Sequence, residues 1–178
     1  MRNVLPLAER LSPDTVTRLE RAAHQRYATA EILRTQRQPR RLAAMYFYGY
    51  SAEMWLSAAY YRSAGFGAHE PINRDTRHRR MVQARQLRLA SGGVIMNSDP
   101  HPIVGWARFL EWQRSASGVL AVAEAQRLRE AVNKAVKIYG YWRPELRYKV
   151  VEITEDQLGI VREAATWLKH NQGKLWEA

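Results

Sequence analysis

Glu53 is the residue with the sharpest chemical implication, because it is the only formal charge between Leu42 and Tyr61. A carboxylate among apolar and aromatic neighbours is costly to bury unless it is paired and hydrogen-bonded. General-base or ligand-binding chemistry would exploit the same burial, but structural ion pairs perturb carboxylates in the same way. The expected role is therefore a tether to Arg147 or Arg143, whose planar guanidinium meets a carboxylate on two oxygens and stays charged when desolvated.

The densest positive cluster is Arg74, Arg77, His78, Arg79, Arg80, Arg85 and Arg88, and Arg34, Arg37, Arg40 and Arg41 would extend it. Such a run neutralises phosphates, or else forms a solvated basic face. Trp142 and Tyr148 flank Arg143 and Arg147. An aromatic beside an arginine can stack on a base, although packing is the simpler role. His69, Glu70, Asp75 and His78 lie near one another, but their spacing matches no ligand motif, so neither a metal nor another cofactor is expected. There is no glycine-rich phosphate loop, nucleophile elbow or Ser/His/Asp arrangement, and no catalytic residue is assigned.

Composition narrows the partners. The chain has 178 residues, a net charge of +11, a pI near 10.3 and no cysteine. Excess positive charge favours polyanions, although a bias towards arginine over lysine also follows from genomic base composition. Without cysteine there is no disulfide framework and no thiolate metal site. A mean hydropathy of −0.49 and charges fencing every apolar run argue against a membrane span. The apolar patch Val4 to Ala8 is too short for a signal-peptide core, so a cytoplasmic location is expected.

The elements that must position these groups read as helices, in one domain with no internal repeat. Ser12-Pro13-Asp14 starts a helix running to about Gln36 on Val16, Leu19, Ala23, Tyr27, Ala30 and Leu33. A nearly all-apolar helix from about 40 to 64 is the buried centre, closed by Gly65. A short basic helix is expected over 76–90, broken by Ser91-Gly92-Gly93. Asp99-Pro100-His101-Pro102 opens a helix carrying Ile103, Trp106, Phe109 and Leu110, with Trp55 and Trp106 in the core. Ser117-Gly118 separates it from a long helix over about 119–139. Residues 140–153 are irregular, with Val150 and Val151 as a brief extended piece. Thr154-Glu155-Asp156-Gln157 is a capping box that begins the last helix. The expected fold class is all-α, with five or six helices.

Three pieces in order carry a resemblance. Ala44-x-Tyr46-x-x-Gly49-Tyr50-x-x-Glu53-x-x-Leu56-x-Ala58-Ala59 is followed by His101-Pro102-Ile103-x-x-Trp106 and then Trp142-Arg143-Pro144-Glu145-Leu146-Arg147-Tyr148. Together they resemble the HEPN-like proteins, the helical "higher eukaryotes and prokaryotes nucleotide-binding" superfamily. The resemblance implies an antiparallel helical bundle, often a homodimer, acting on RNA or nucleotides or partnering a small nucleotidyltransferase. It also marks Tyr50, Glu53, His101, Trp142, Arg147 and Tyr148 as motif residues. Catalytic relatives carry an arginine with a histidine shortly after it in a late helix. Here Arg162 and His170 have seven residues between them, one too many, whereas Arg18 to His24 and Arg62 to His69 fit the count, but the former lies in the first helix and the latter runs into a loop. Ser57 also stands where relatives often have a lysine.

The function expected is thus a non-catalytic module that contacts RNA or nucleotide through Arg74, Arg77, Arg79, Arg80, Arg85 and Arg88. Two alternatives differ in what they demand. A metal-independent endoribonuclease needs an Arg and a His side chain converging in one cleft. A structural homodimer or interaction protein needs an exposed apolar patch.

Overall fold

The computed structural model describes residues 14–38, 40–89, 92–99, 101–149 and 151–177. Among them are six α-helices: α1 (Val16–Thr35), α2 (Arg41–Ser63), α3 (Arg74–Gln86), α4 (Ile103–Ala116), α5 (Val122–Tyr141) and α6 (Glu155–Asn171). Two-residue strands β1 (Asp14–Thr15) and β2 (Pro71–Ile72) pair antiparallel, and 3-10 turns occupy Pro144–Tyr148 and Gln172–Leu175. The molecule is mostly helical, as its sequence periodicity predicts. No helix among the described residues is long and apolar enough to cross a membrane.

α2 is the centre of the packing, with α1, α4 and α6 against it. It is buried on nearly every side, from Ala44 and Met45 through Trp55 to Tyr60 and Tyr61, as a helix without a polar face must be. α1 lays its stripe of Val16, Leu19, Ala23, Tyr27 and Ala30 against it. From α4, Trp106 and Phe109 meet Tyr60, the Phe109 ring stacked at 4.2 Å. Trp55 and Trp106 are fully buried, which agrees with their expected core role.

One polar cluster ties three helices together. Glu31 on α1 accepts hydrogen bonds from Tyr48 of α2 (2.8 Å), Arg162 of α6 (2.8 Å) and Arg34 (3.0 Å). Burial alone would push the Glu31 carboxyl up, but these donors outweigh it and hold its pKa at about 2. Arg34, expected in the basic patch, is therefore a structural partner. Arg162 serves the same carboxylate.

Several boundaries differ from the sequence reading. Thr15 caps α1, its hydroxyl accepting from the Arg18 amide at 3.2 Å, while the expected starters Ser12 and Pro13 lie outside the described residues. α2 closes at Gly65, whose φ of 87° is the conformation that favours glycine. α3 starts earlier, at Arg74, because Asn73 caps it by accepting from the Thr76 amide. It also ends earlier: Leu87 is extended, and Arg88 bridges to Val94 across a turn with Gly92 at φ 84°. Ala90 and Ser91 lie outside the described residues. α5 starts at Val122, where Glu124 reaches back to the Ala121 amide at 3.0 Å. The irregular stretch holds the 3-10 turn at 144–148; Val150 is outside the described residues, and Val151 pairs with no strand. The capping box is as expected: Thr154 accepts from the Gln157 amide at 3.2 Å and Gln157 from the Thr154 amide at 3.1 Å.

Candidate functional site

Helical spacing puts Tyr50, Glu53, Met54 and Ser57 on one face of α2, where they floor a cleft of about 420 Å³. Arg18, Gln25 and Arg26 enter it from α1, Arg77 from α3, and His101 from the segment before α4. The lining thus comes from four separate parts of the chain, and α2 supplies the base on which they converge.

Glu53 does not pair with Arg143. Its Oε2 lies 3.0 Å from His101 Nδ1, and Oε1 lies 3.8 Å from the Arg77 guanidinium. Arg143 instead sits over the Tyr139 ring at 3.4 Å and donates to the Trp142 carbonyl at 2.7 Å. The Arg147 side chain lies outside the described residues. The physical reason for the different partner is local. The loop before α4 brings His101 directly above Glu53, while Trp142 fills the next turn of α2 and holds Arg143 on the α5 side. Glu53 is nonetheless buried and paired, as its setting required.

His101 is fixed from three sides. Its amide donates to Asp99 Oδ1 at 2.8 Å, and Asp99 Oδ2 accepts from Tyr139 of α5 at 3.0 Å. Nδ1 faces Glu53, and Nε2 lies 3.4 Å from the Tyr50 hydroxyl. The hydrogen bond to Glu53 raises the His101 pKa above its usual value, against the opposing pull of burial. Its side chain remains 26% exposed.

The three motif pieces meet here. Tyr50 stands edge-on to His101 at 5.2 Å and to Trp142 at 5.4 Å. Trp142 is fully buried, and its indole N–H donates to the Tyr46 carbonyl at 3.1 Å. Gly49 gives the indole room: any Cβ there would fall inside the ring. Trp142 is therefore a packing residue that positions Tyr50, whereas Tyr148 is exposed on its turn.

Of the arginines expected to bind nucleic acid, Arg77 alone lines this cleft. Arg79 and Arg80 line a separate depression beside Phe66, with Arg80 5.7 Å from the Phe66 ring. Arg85 donates to the Asn97 carbonyl, and Arg88 to the carbonyls of Arg85, Gln86 and Leu87. Those two close the end of α3. Arg74 is exposed. Sequence reasoning missed Arg18 and Arg26. Their separation is two helical turns, a signal for a shared face that does not reveal which neighbour the face meets.

Against known proteins there is no match: no family model fits the chain, and neither a curated protein nor a solved structure matches it. The likeness to HEPN-like proteins is accordingly carried by the motifs quoted above.

Proposed function

We propose that the protein is a phosphate-recognising module that contacts RNA or nucleotide through the cleft over Glu53. The observation that carries this is the convergence of Arg18, Arg26, Arg77 and His101 around one cavity of nucleotide scale. Guanidinium groups suit phosphate because their forked donors match its oxygens. Glu53, buried beside it, holds His101 in place through the 3.0 Å contact with Nδ1 and raises its pKa.

Binding without strand cleavage is the preferred form. In-line phosphoryl transfer needs a base on the attacking side and an acid on the leaving side. Glu53 and His101 are tied to each other by a contact of 3.0 Å, so they act as one coupled acid–base pair and not as two separate groups. A second reading, a metal-independent endoribonuclease, is supported by the meeting of His101 and Arg77 in one cleft, the arrangement that chemistry demands. The homodimer and the small nucleotidyltransferase partner implied by the resemblance are further proposals. Sedimentation of the purified chain tests the first, with twice 20.6 kDa expected.

The deciding experiment is titration of a fluorescent single-stranded oligoribonucleotide with wild type and with Arg18/Arg26/Arg77→Ala. Salt-dependent binding by wild type that weakens at least tenfold in the variant is expected. Unchanged affinity in a folded variant would remove the cleft from the proposal. Metal-free cleavage of RNA that disappears in His101→Asn would establish the nuclease instead.

A further inference from the structure

Glu53 Oε1 is a buried carboxylate oxygen with no hydrogen-bond partner. Its neighbour Oε2 is satisfied by His101, and Arg77 stands 3.8 Å from Oε1, beyond bonding distance. An unmet acceptor of this kind carries a desolvation penalty that a donor would relieve. Glu53 lines the cleft, and the group beside its Oε1 is a long arginine side chain, 42% exposed. That arginine rises from α3, a helix with Ala84 as its buried residue. A ligand donor reaches this buried oxygen only when the side chains around it, Arg77 among them, turn aside.

The chemistry of a fitting ligand follows. A phosphate oxygen only accepts, so it suits Arg77 and is repelled by Oε1. The group that reaches Oε1 must donate, and it must sit next to the phosphate, because Oε1 and the guanidinium are neighbours. A ribose carrying a 2′-hydroxyl beside its 3′-phosphate has both features, and a deoxyribose lacks the donor. We propose that Glu53 Oε1 accepts the 2′-hydroxyl of a ribonucleotide whose adjacent phosphate lies on Arg77, so that the cleft selects ribose over deoxyribose. The inference rests on the phosphate-recognising reading above and adds the sugar to it.

The test varies the ligand and leaves the protein intact, which avoids any question of whether a Glu53 variant folds. Single-stranded oligonucleotides of one sequence carry 2′-hydroxyl, 2′-hydrogen, 2′-fluoro or 2′-methoxy groups, and each is titrated against wild type by fluorescence anisotropy at one salt concentration. The hydroxyl series is expected to bind about tenfold tighter than the other three, the scale of one hydrogen bond to a charged acceptor. The fluoro series matters most, because fluorine keeps a ribose-like sugar conformation yet donates nothing. A fluoro strand binding as tightly as the hydroxyl strand would overturn the inference, since sugar shape would then explain the preference. Equal, salt-dependent binding of all four overturns it while leaving phosphate recognition standing. No binding of any strand overturns both. Competition by a ribonucleoside 3′-monophosphate, but not by its 2′-deoxy counterpart, would support it for the free nucleotide; selectivity confined to strands would support it for RNA.

Discussion

His101 shows what a single contact does to the chemistry of the cleft. Because Glu53 accepts from Nδ1, the folded protein raises the His101 pKa above 6.5. The sign of the linkage is then fixed: a raised folded pKa contributes stability below the unfolded value, lost as pH rises through the folded one. Phosphate affinity should follow the same course, highest under mildly acidic conditions and falling as pH rises through the His101 transition. His101→Asn should flatten that fall; isothermal titration across the interval measures it, and an unaltered profile would assign the dependence to another group. Glu31 behaves in the opposite sense. Its pKa is depressed from 4.5 to about 2, so its contribution is present above 4.5 and lost as pH drops towards 2. That shift corresponds to at most roughly 3 kcal/mol, and to less once solvent screening of the partly exposed pair is counted. Glu31→Gln should therefore lower stability near neutral pH by an amount of that order, read from urea melts, and should leave the cleft's affinity unchanged because Glu31 lies outside it.

At the scale of elements, α2 and the segment after α5 are locked by one fit. Gly49 faces the Trp142 indole, and Trp142 in turn backs Tyr50, which meets His101. Gly49→Ala would gain helix propensity in isolation. Here its methyl has no space, and overpacking of this kind costs about 1–3 kcal/mol. The expected result is a Tm lower by roughly 2–12 °C for a chain of this size, since each kcal/mol shifts it about 2–4 °C. An equal or higher Tm would mean that the indole moves aside. The same pair shows what was legible in the sequence. α2 was readable because almost nothing in it is polar, and the last helix because its capping box is local chemistry. The end of α3 was not, because Leu87 and Leu89 prolong a helical pattern that the Arg88–Val94 bridge overrides. Tyr50, Glu53, His101 and Trp142, singled out in the sequence by the resemblance, lie beside one another. Glu53's partner was not legible: with so many arginines nearby in sequence, only the course of the loop before α4 selects a histidine. Arg18 and Arg26 were hidden for a similar reason, since helical spacing defines a face and not what it faces.

The charge of the whole molecule complicates any binding measurement made on one cleft. A chain at +11 attracts polyanions everywhere and accelerates their arrival, so weaker binding on removing arginines does not by itself locate a site. A charge-matched comparison separates the two effects. Arg18/Arg26/Arg77→Ala and Arg37/Arg74/Arg79→Ala each remove three charges, leaving both variants at +8 by subtraction from +11. Arg37, Arg74 and Arg79 are exposed, and none of them lines the cleft over Glu53. Long-range steering depends mainly on the total and should drop equally in both, appearing as similar decreases in association rate at low salt. A grip on bound phosphate depends on position. It should appear only in the cleft variant, as faster dissociation and a shallower dependence of affinity on salt, by about 0.7 in the log–log slope for each single-strand phosphate no longer neutralised. Stopped-flow rates for the two variants against one oligoribonucleotide provide the comparison. If both bind equally weakly and through slower association alone, the protein holds RNA by a diffuse basic surface, and the cleft over Glu53 is a structural feature of the fold.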